Sequence, residues 1–224
     1  MTQKSISLYF SIFSIACSCA QNNYNTEGER EGLWSSYHDN GIIKYQGQFF
    51  NGKELGMFKY YDLLGNLAIK LNYIDTGMTS QATLYYSDGN IKSQGTYLNK
   101  KKTSLWVSYN SDGRKINQEN YQQGILNGES VHYYDNGMIA EIFNYLNGLK
   151  YGPFKILYKS GTLNMTCNYF NGIKHGLAEF YYNDKDLKLE SKGNYNMGKK
   201  DSIWFFYDEE GALLRQEEYD VSRY

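Results

Sequence analysis

The histidines and the internal cysteine are the residues best suited to catalysis or metal binding, but their spacing supports neither. A metal site or a general base needs partner side chains at defined distances. His38, His132 and His175 lie at unrelated positions of separate segments. Cys167 alternates with apolar residues, which favours a buried thiol, because a reactive thiol needs an exposed, electropositive setting. We therefore predict no catalytic residue, no metal site and no cofactor.

Acidic turns are the other candidates for cation binding. Asp39-Asn40-Gly41 and Asp135-Asn136-Gly137 carry oxygen ligands, and so does the segment 183–186. A calcium loop needs about six or more oxygens from one short segment, whereas each of these offers one or two that a tight turn itself uses. No glycine run opens a helix after a strand, as a phosphate-binding loop would require. The sequence predicts turns here, and a protein that is not an enzyme.

These turns belong to a repeat with a constant step of 24 residues. Its marker glycines are Gly41, Gly65, Gly89, Gly113, Gly137 and Gly161, and we expect the series to continue at Asp186 and Gly211. An aromatic residue stands eight or nine positions after each marker, from Phe49 through Tyr73 to Tyr219. Seven positions before five of the markers stand Trp34, Phe58, Trp106, Phe154 and Trp204. Such a fixed phase indicates one structural unit copied about eight times.

Each unit has the pattern of a β-hairpin. The stretch Leu67–Tyr73 alternates apolar and polar residues, as a strand does when one face covers a core. Glycine in the marker turn supplies a positive φ, and Asn51-Gly52 is a typical second turn between units. A single hairpin buries too little surface to persist, but stacked hairpins share a core. We predict an all-β repeat array of about eight 24-residue β-hairpin units forming an extended antiparallel sheet.

Composition agrees with this fold and excludes some functions. The 224 residues include 24 Tyr, 22 Gly and one Pro, which suits strands joined by tight turns. Lys and Arg number 23 against 24 Asp and Glu, so the chain lacks the basic excess of a nucleic-acid backbone binder. We expect Lys100-Lys101-Lys102 and Lys199-Lys200 to be solvated turn tips. The alternative for them is attraction to an anionic lipid or polymer surface.

Residues 1–20 are typical of a secretory signal peptide, with Lys4 before a short apolar stretch and small residues at its end. The end of this segment resembles the lipobox of bacterial lipoproteins. Cys19 is therefore the first candidate for lipid attachment, and Cys17 is the second. The alternative is ordinary cleavage after Ala20. Residues 21–27 would then be a polar tether, and 28–224 the repeat domain. We expect an exported protein of the cell envelope, lipid-anchored, periplasmic or secreted.

The repeat resembles the MORN repeat in its variant form. The pattern is carried by Gly32-Leu33-Trp34, Tyr37, Gly41, Ile43, Gly47, Phe49 and Gly52, and again by Gly56-Met57-Phe58, Tyr61 and Gly65. The resemblance covers residues 28–219. The sequence is especially similar to exported bacterial proteins of the YwqK family, which carry an antitoxin label. The resemblance implies a hairpin array used for binding or scaffolding. The third and fourth units depart from the pattern at Ser80 and Ser104.

A line of tyrosines is the candidate binding site. Tyr85, Tyr109 and Tyr133 stand three residues after the tryptophan position, and an odd offset in a strand places side chains on opposite faces. Tyrosines in a row suit sugars or extended peptides. We therefore predict a non-enzymatic module that binds or scaffolds an unidentified protein at the bacterial envelope. The alternatives are a carbohydrate or cell-wall binder that uses these tyrosines, and an antitoxin-like neutralising partner of another protein.

Overall fold

The computed structural model describes residues 22–220, and every regular element in that range is a β-strand. Residues 22–220 contain no helix long and apolar enough to cross a membrane. The strands are β1 Asn23–Tyr24, β2 Arg30–Tyr37, β3 Ile43–Phe50, β4 Lys53–Tyr61, β5 Leu67–Tyr73, β6 Thr79–Tyr85, β7 Ile91–Leu98, β8 Lys101–Tyr109, β9 Lys115–Gln122, β10 Ile125–Tyr133, β11 Ile139–Leu146, β12 Leu149–Lys150, β13 Gly152–Leu157, β14 Leu163–Phe170, β15 Ile173–Tyr181, β16 Leu189–Asn196, β17 Lys199–Tyr207 and β18 Leu213–Tyr219. The predicted signal peptide, Cys17 and Cys19 lie outside the described residues.

The strands form one open antiparallel sheet in which each strand pairs with the next along the chain. β12 and β13 are two parts of one strand, interrupted at Tyr151, and both pair with β11. From β2 onwards the sheet therefore consists of eight hairpins, as the sequence predicts. Their contacts join neighbours, so stability comes from the interfaces between units.

Two kinds of turn alternate along the sheet. Inside a hairpin, Gly41 donates its N–H to the His38 carbonyl at 2.9 Å and adopts φ 81°, which a side chain would strain. Between hairpins, Asn51 and Gly52 both have positive φ, the geometry of a two-residue turn that matches strand twist. Both turn types were predicted from the sequence.

One marker position differs from the prediction. In the seventh hairpin the positive φ falls at Leu187 and not at Asp186. Tyr181 pairs with Leu189 as Tyr37 pairs with Ile43, so the extra residues are accommodated inside this turn. Asp184 secures the longer turn, because its Oδ1 accepts the Asp186 N–H at 2.8 Å.

The aromatic face of the sheet, defined by the tryptophan position and by the tyrosines after the markers, holds the core. Trp106 and Trp204 are each 1% exposed, and both lie directly over a glycine of the preceding strand, Gly95 and Gly193. Phe58 covers Gly47 in the same way. A β-bulge lies at each of these three glycines. At each of these junctions between two units, a large ring therefore occupies the space that a side chain at the glycine would fill.

The reverse arrangement occurs where the tryptophan position holds a small residue. Ala82 pairs with Leu71 of the preceding strand. Ala178 and the neighbouring Cys167 belong to one buried cluster. At each junction, the larger side chain is thus supplied either by the tryptophan position or by the residue opposite it in the preceding strand. Both arrangements keep the interior close-packed.

The segment before the first hairpin covers the free edge of the array. Residues 22–27 fall in the predicted tether, yet β1 pairs with β2. Asn22 imitates a strand residue: its Oδ1 accepts the Ser35 N–H at 2.8 Å and its Nδ2 donates to the Ser35 carbonyl at 2.9 Å. Trp34 Nε1 donates to the Asn23 carbonyl at 3.0 Å, as Trp106 donates to Thr96 of the preceding hairpin at 3.1 Å. The segment therefore stands in for a missing preceding unit.

Candidate functional site

The predicted tyrosine strip lies on the face opposite the tryptophans and is half-buried. Glu119 pairs with Trp106 and shares its face, so its neighbour Gln118 lies on the opposite face. Tyr133 donates its hydroxyl hydrogen bond to the Gln118 side chain and therefore lies on that opposite face too. Lys115 Nζ lies 5.2 Å from the centroid of the Tyr133 ring. Tyr85 and Tyr109 have intermediate exposure. All three side chains are therefore partly accessible, and their role in binding stays a prediction.

The structure does not bring the three histidines together. His38 Nε2 lies 3.0 Å from the Tyr61 carbonyl, and His132 Nδ1 lies 3.6 Å from Glu141. His175 is at the start of β15 and exposed. Within residues 22–220 no three His, Cys, Asp or Glu side chains are placed to hold a metal ion.

Cys167 is buried on the aromatic face, with 3% of its surface exposed. Burial raises the pKa of its thiol, which disfavours the thiolate at neutral pH. The placement agrees with the packing role that its alternation pattern predicts.

The acidic turn residues bind their own backbone. Asp62 Oδ1 accepts the N–H groups of Leu64 and Asn66, each at 2.9 Å. The hydrogen bond from the Asn66 side chain, together with these backbone hydrogen bonds, lowers the pKa of Asp62. Asn40 likewise accepts the Ile42 N–H and donates to the Leu63 carbonyl of the next hairpin. The oxygens are committed to turn geometry.

Basic side chains run along the aromatic face. We call them the basic column: the first strand of a hairpin carries one of Arg30, Lys102, Lys150, Lys174 and Lys200. Lys102 Nζ lies 4.5 Å from the Trp106 ring centroid and 4.7 Å from that of Tyr121. Lys200 Nζ lies 4.2 Å from Trp204 and 5.0 Å from Tyr219.

This arrangement corrects the expectation that the lysine runs are solvated turn tips. Lys100 is in the turn, but Lys102 and Lys200 lie over buried rings. A cation above an aromatic face is attracted by the ring quadrupole, and the alkyl stem covers apolar surface. The sequence contains the signal, a basic residue four positions before an aromatic one, but a lysine beside a turn also suits a solvated tip.

The basic column is interrupted in the second, third and fifth hairpins. Leu126 occupies its position in the fifth hairpin, and Glu54 and Met78 occupy it in the second and third. A hollow of about 300 Å³ opens at this place, and Tyr60, Tyr73 and Tyr97 are among its lining residues. Burial raises the pKa of Tyr60 and Tyr73, and the nearby charge of Glu54 raises both further.

A second surface follows the turns between hairpins, which we call the turn-edge strip. Its members are large apolar side chains that are 39–62% exposed: Phe50, Ile74, Leu98, Ile125, Leu146, Leu149, Phe170 and Ile173. The strip is continuous over several units, because Ile125, Leu149 and Ile173 each lean on the turn glycine of the following junction. Pattern reasoning from the sequence missed it, since these residues end or begin strands and resemble core positions.

Comparison with known proteins gives a partial assignment. No curated protein matches the chain, so no relative supports the YwqK-family antitoxin assignment. Among solved structures, one of TarM is similar over 43% of this chain and 19% of that chain, with 14% identity and a TM-score of 0.32. This chain therefore spans about a fifth of the TarM chain, and the likeness is too distant to carry an argument.

The family described as MORN repeat variant matches residues 30–51, 79–99 and 126–147. These stretches contain most of the first, third and fifth hairpins, and they begin at or near a first strand and end at or near the following turn. Each matched stretch contains one of the marker turn glycines, Gly41, Gly89 and Gly137. The chain is therefore a repeat protein with MORN-variant repeats at these three hairpins.

Proposed function

We propose that this chain is a non-enzymatic, exported repeat protein that binds or scaffolds another protein at the bacterial cell envelope. The turn-edge strip carries the proposal. Exposed apolar side chains that recur in a line typically mark an interaction surface, and here Ile125, Leu149 and Ile173 do so on three consecutive hairpins.

The repeat makes this surface suited to an extended partner. The strip residues recur at two equivalent positions of the hairpin, and Ile125, Leu149 and Ile173 occupy one of them in the fifth, sixth and seventh hairpins. A partner segment therefore meets similar contacts on these neighbouring units. Linked contacts raise the effective concentration of each following one, and their combined affinity exceeds that of any single contact. A neutralised toxin would be one special case of such a partner.

Position-resolved photo-crosslinking in the native envelope tests this proposal. We expect a photoreactive residue at Phe170 to give a discrete protein adduct. The same residue at Ser111, exposed in a hairpin turn at the opposite edge, serves as the matched control and should give none. Mass spectrometry of the adduct would name the partner, including any toxin. Equal labelling at both positions, or none at Phe170, would contradict the proposal.

Carbohydrate binding is the second candidate, favoured by the separate face on which the tyrosine strip lies. It predicts retention on insoluble cell wall without a protein partner. Replacing Tyr85, Tyr109 and Tyr133 together with Ser should then abolish retention while circular dichroism shows a folded sheet. Retention by that variant would exclude the tyrosine strip as the sugar site.

Export rests on residues 1–20, and we propose that Cys19 is acylated. A membrane-bound product with a mass above that of its peptide is then expected, and Cys19→Ser should move the protein to the soluble fraction, because acyl chains supply the anchoring free energy. Cys17→Ser is the control and should leave the anchor in place. Intact mass spectrometry decides the matter: an unmodified N-terminus at Gln21 would show simple secretion.

A further inference from the structure

The basic column shows what the aromatic face accepts. Arg30, Lys102 and Lys200 each place their charge over the ring at the tryptophan position of their own hairpin, between 4.2 and 5.1 Å from its centroid. Each also lies over a second ring of the same unit. Lys150 and Lys174 lie over rings as well. The chain thus contains five copies of a cation seated on aromatic side chains.

The second hairpin has the rings without the cation. Glu54 stands at the basic position, and the rings next to it are Phe58 and Tyr73, which pack edge to face with centroids 5.4 Å apart. Among residues 22–220, no lysine or arginine lies over Tyr60, Tyr73 or Tyr97. The hollow beside these rings measures about 300 Å³, and Glu54, Met78 and Ser80 are among its other lining residues.

We propose that this hollow is a binding site for an organic cation, an alkylammonium group that takes the place of the missing lysine. Tyr60 and Tyr97, the two lining tyrosines of intermediate exposure, would contact the apolar part and the charge of the ligand. Glu54 supplies a carboxylate at the position where five other hairpins carry a positive charge, so the charge at this position is reversed in the second hairpin. The hollow is large enough for a ligand of this size, and a lysine stem with its ammonium group fits the same ring geometry elsewhere in the sheet. The site does not depend on the proposed protein-binding function.

Glu54 already has one weak partner. Lys100 Nζ lies 3.6 Å from Glu54 Oε1, but the Lys100 side chain is 77% exposed and that of Glu54 only 22%. An exposed ion pair of this kind contributes little, so a ligand can displace Lys100 into solvent. This competition predicts that removal of Lys100 strengthens binding, whereas removal of Glu54 weakens it.

Isothermal titration calorimetry of the mature chain tests the site, with n-butylammonium and tetramethylammonium as cations and n-butanol as the neutral probe. We expect both cations to bind and n-butanol to bind at least about tenfold more weakly. Glu54→Gln should weaken cation binding about tenfold, and Lys100→Gln should strengthen it about twofold or more. Glu209→Gln, in an exposed turn far along the sheet, is the matched control for charge and should change nothing.

Glu54→Lys places a basic residue at this position of the second hairpin and should abolish cation binding, because the introduced side chain occupies the site. Circular dichroism and thermal melting of each variant would show that the sheet persists. A lysine-containing tripeptide that binds more tightly than tetramethylammonium would point to a protein-borne ammonium, and the reverse order to a quaternary headgroup or solute. Equal affinity for n-butanol, or unchanged affinity after Glu54→Gln, would overturn the proposal.

Discussion

Replacing Gly95 with Ala is expected to lower the free energy of unfolding by about 3 kcal/mol, an unusually large effect for one added methyl group. The new Cβ would overlap the ring of Trp106, which is 1% exposed. The ring cannot move aside freely, because Nε1 donates to the Thr96 carbonyl at 3.1 Å and Lys102 lies above it. Gly95 does not have a positive φ, so backbone strain is not the cause.

Urea unfolding followed by circular dichroism measures this change. Gln94→Ala is the matched control, since Gln94 is the neighbouring residue and lies on the opposite face. We expect that variant to remain within about 0.5 kcal/mol of the parent protein. A loss of similar size in both variants would show that the strand, and not the ring contact, is sensitive.

Alkaline pH is expected to unfold the protein steeply. Burial raises the pKa of six tyrosines at one repeated position of the aromatic face, Tyr73, Tyr97, Tyr121, Tyr145, Tyr169 and Tyr195. In the unfolded chain these phenols titrate near their ordinary pKa of about 10. The folded protein then binds more protons than the unfolded chain, so the free energy of unfolding falls as pH rises above about 10. Below about pH 9 this contribution is fully present.

The slope of stability against pH measures the number of phenols involved, since one proton corresponds to about 1.4 kcal/mol per pH unit. We expect a slope above the one-proton value between about pH 10 and pH 11. Tyr121→Phe should make it shallower, because Tyr121 also donates its hydroxyl to Glu119 at 2.8 Å and keeps its proton. An unfolding free energy that stays constant across this range would show that the tyrosines are solvated.

The repeat could be predicted because its signals are local. A glycine with positive φ or an Asn-Gly pair fixes a turn within a few residues, and the constant step of 24 gives the number of units. The displaced marker at Leu187 could not be predicted, because the acidic residues of that turn suit several registers. The position of the turn follows from the pairing of Tyr181 with Leu189, which is a tertiary feature.

The sites were harder to predict because they depend on contacts across units. The fit of Trp106 over Gly95 requires the bulge in the strand pairing, and a glycine in a strand is compatible with many roles. Lys102 has the sequence context of a solvated turn, yet it covers rings of two strands. Glu54 stands out as a site residue only when its position is compared with the basic residues at the same position of other hairpins.

Size complementarity between neighbouring units is measured by the coupling free energy between Gly95 and Trp106. Trp106→Ala alone should cost about 3–5 kcal/mol. In that background Gly95→Ala should cost less than about 0.5 kcal/mol, because no ring is then left for the added methyl group to overlap. The seventh hairpin shows the same combination: Ala178 stands at the tryptophan position, and the bulged position of the preceding strand holds Cys167 and not glycine. We expect a coupling free energy of about 2–3 kcal/mol between the two substitutions. Effects that add to within about 0.5 kcal/mol would contradict it.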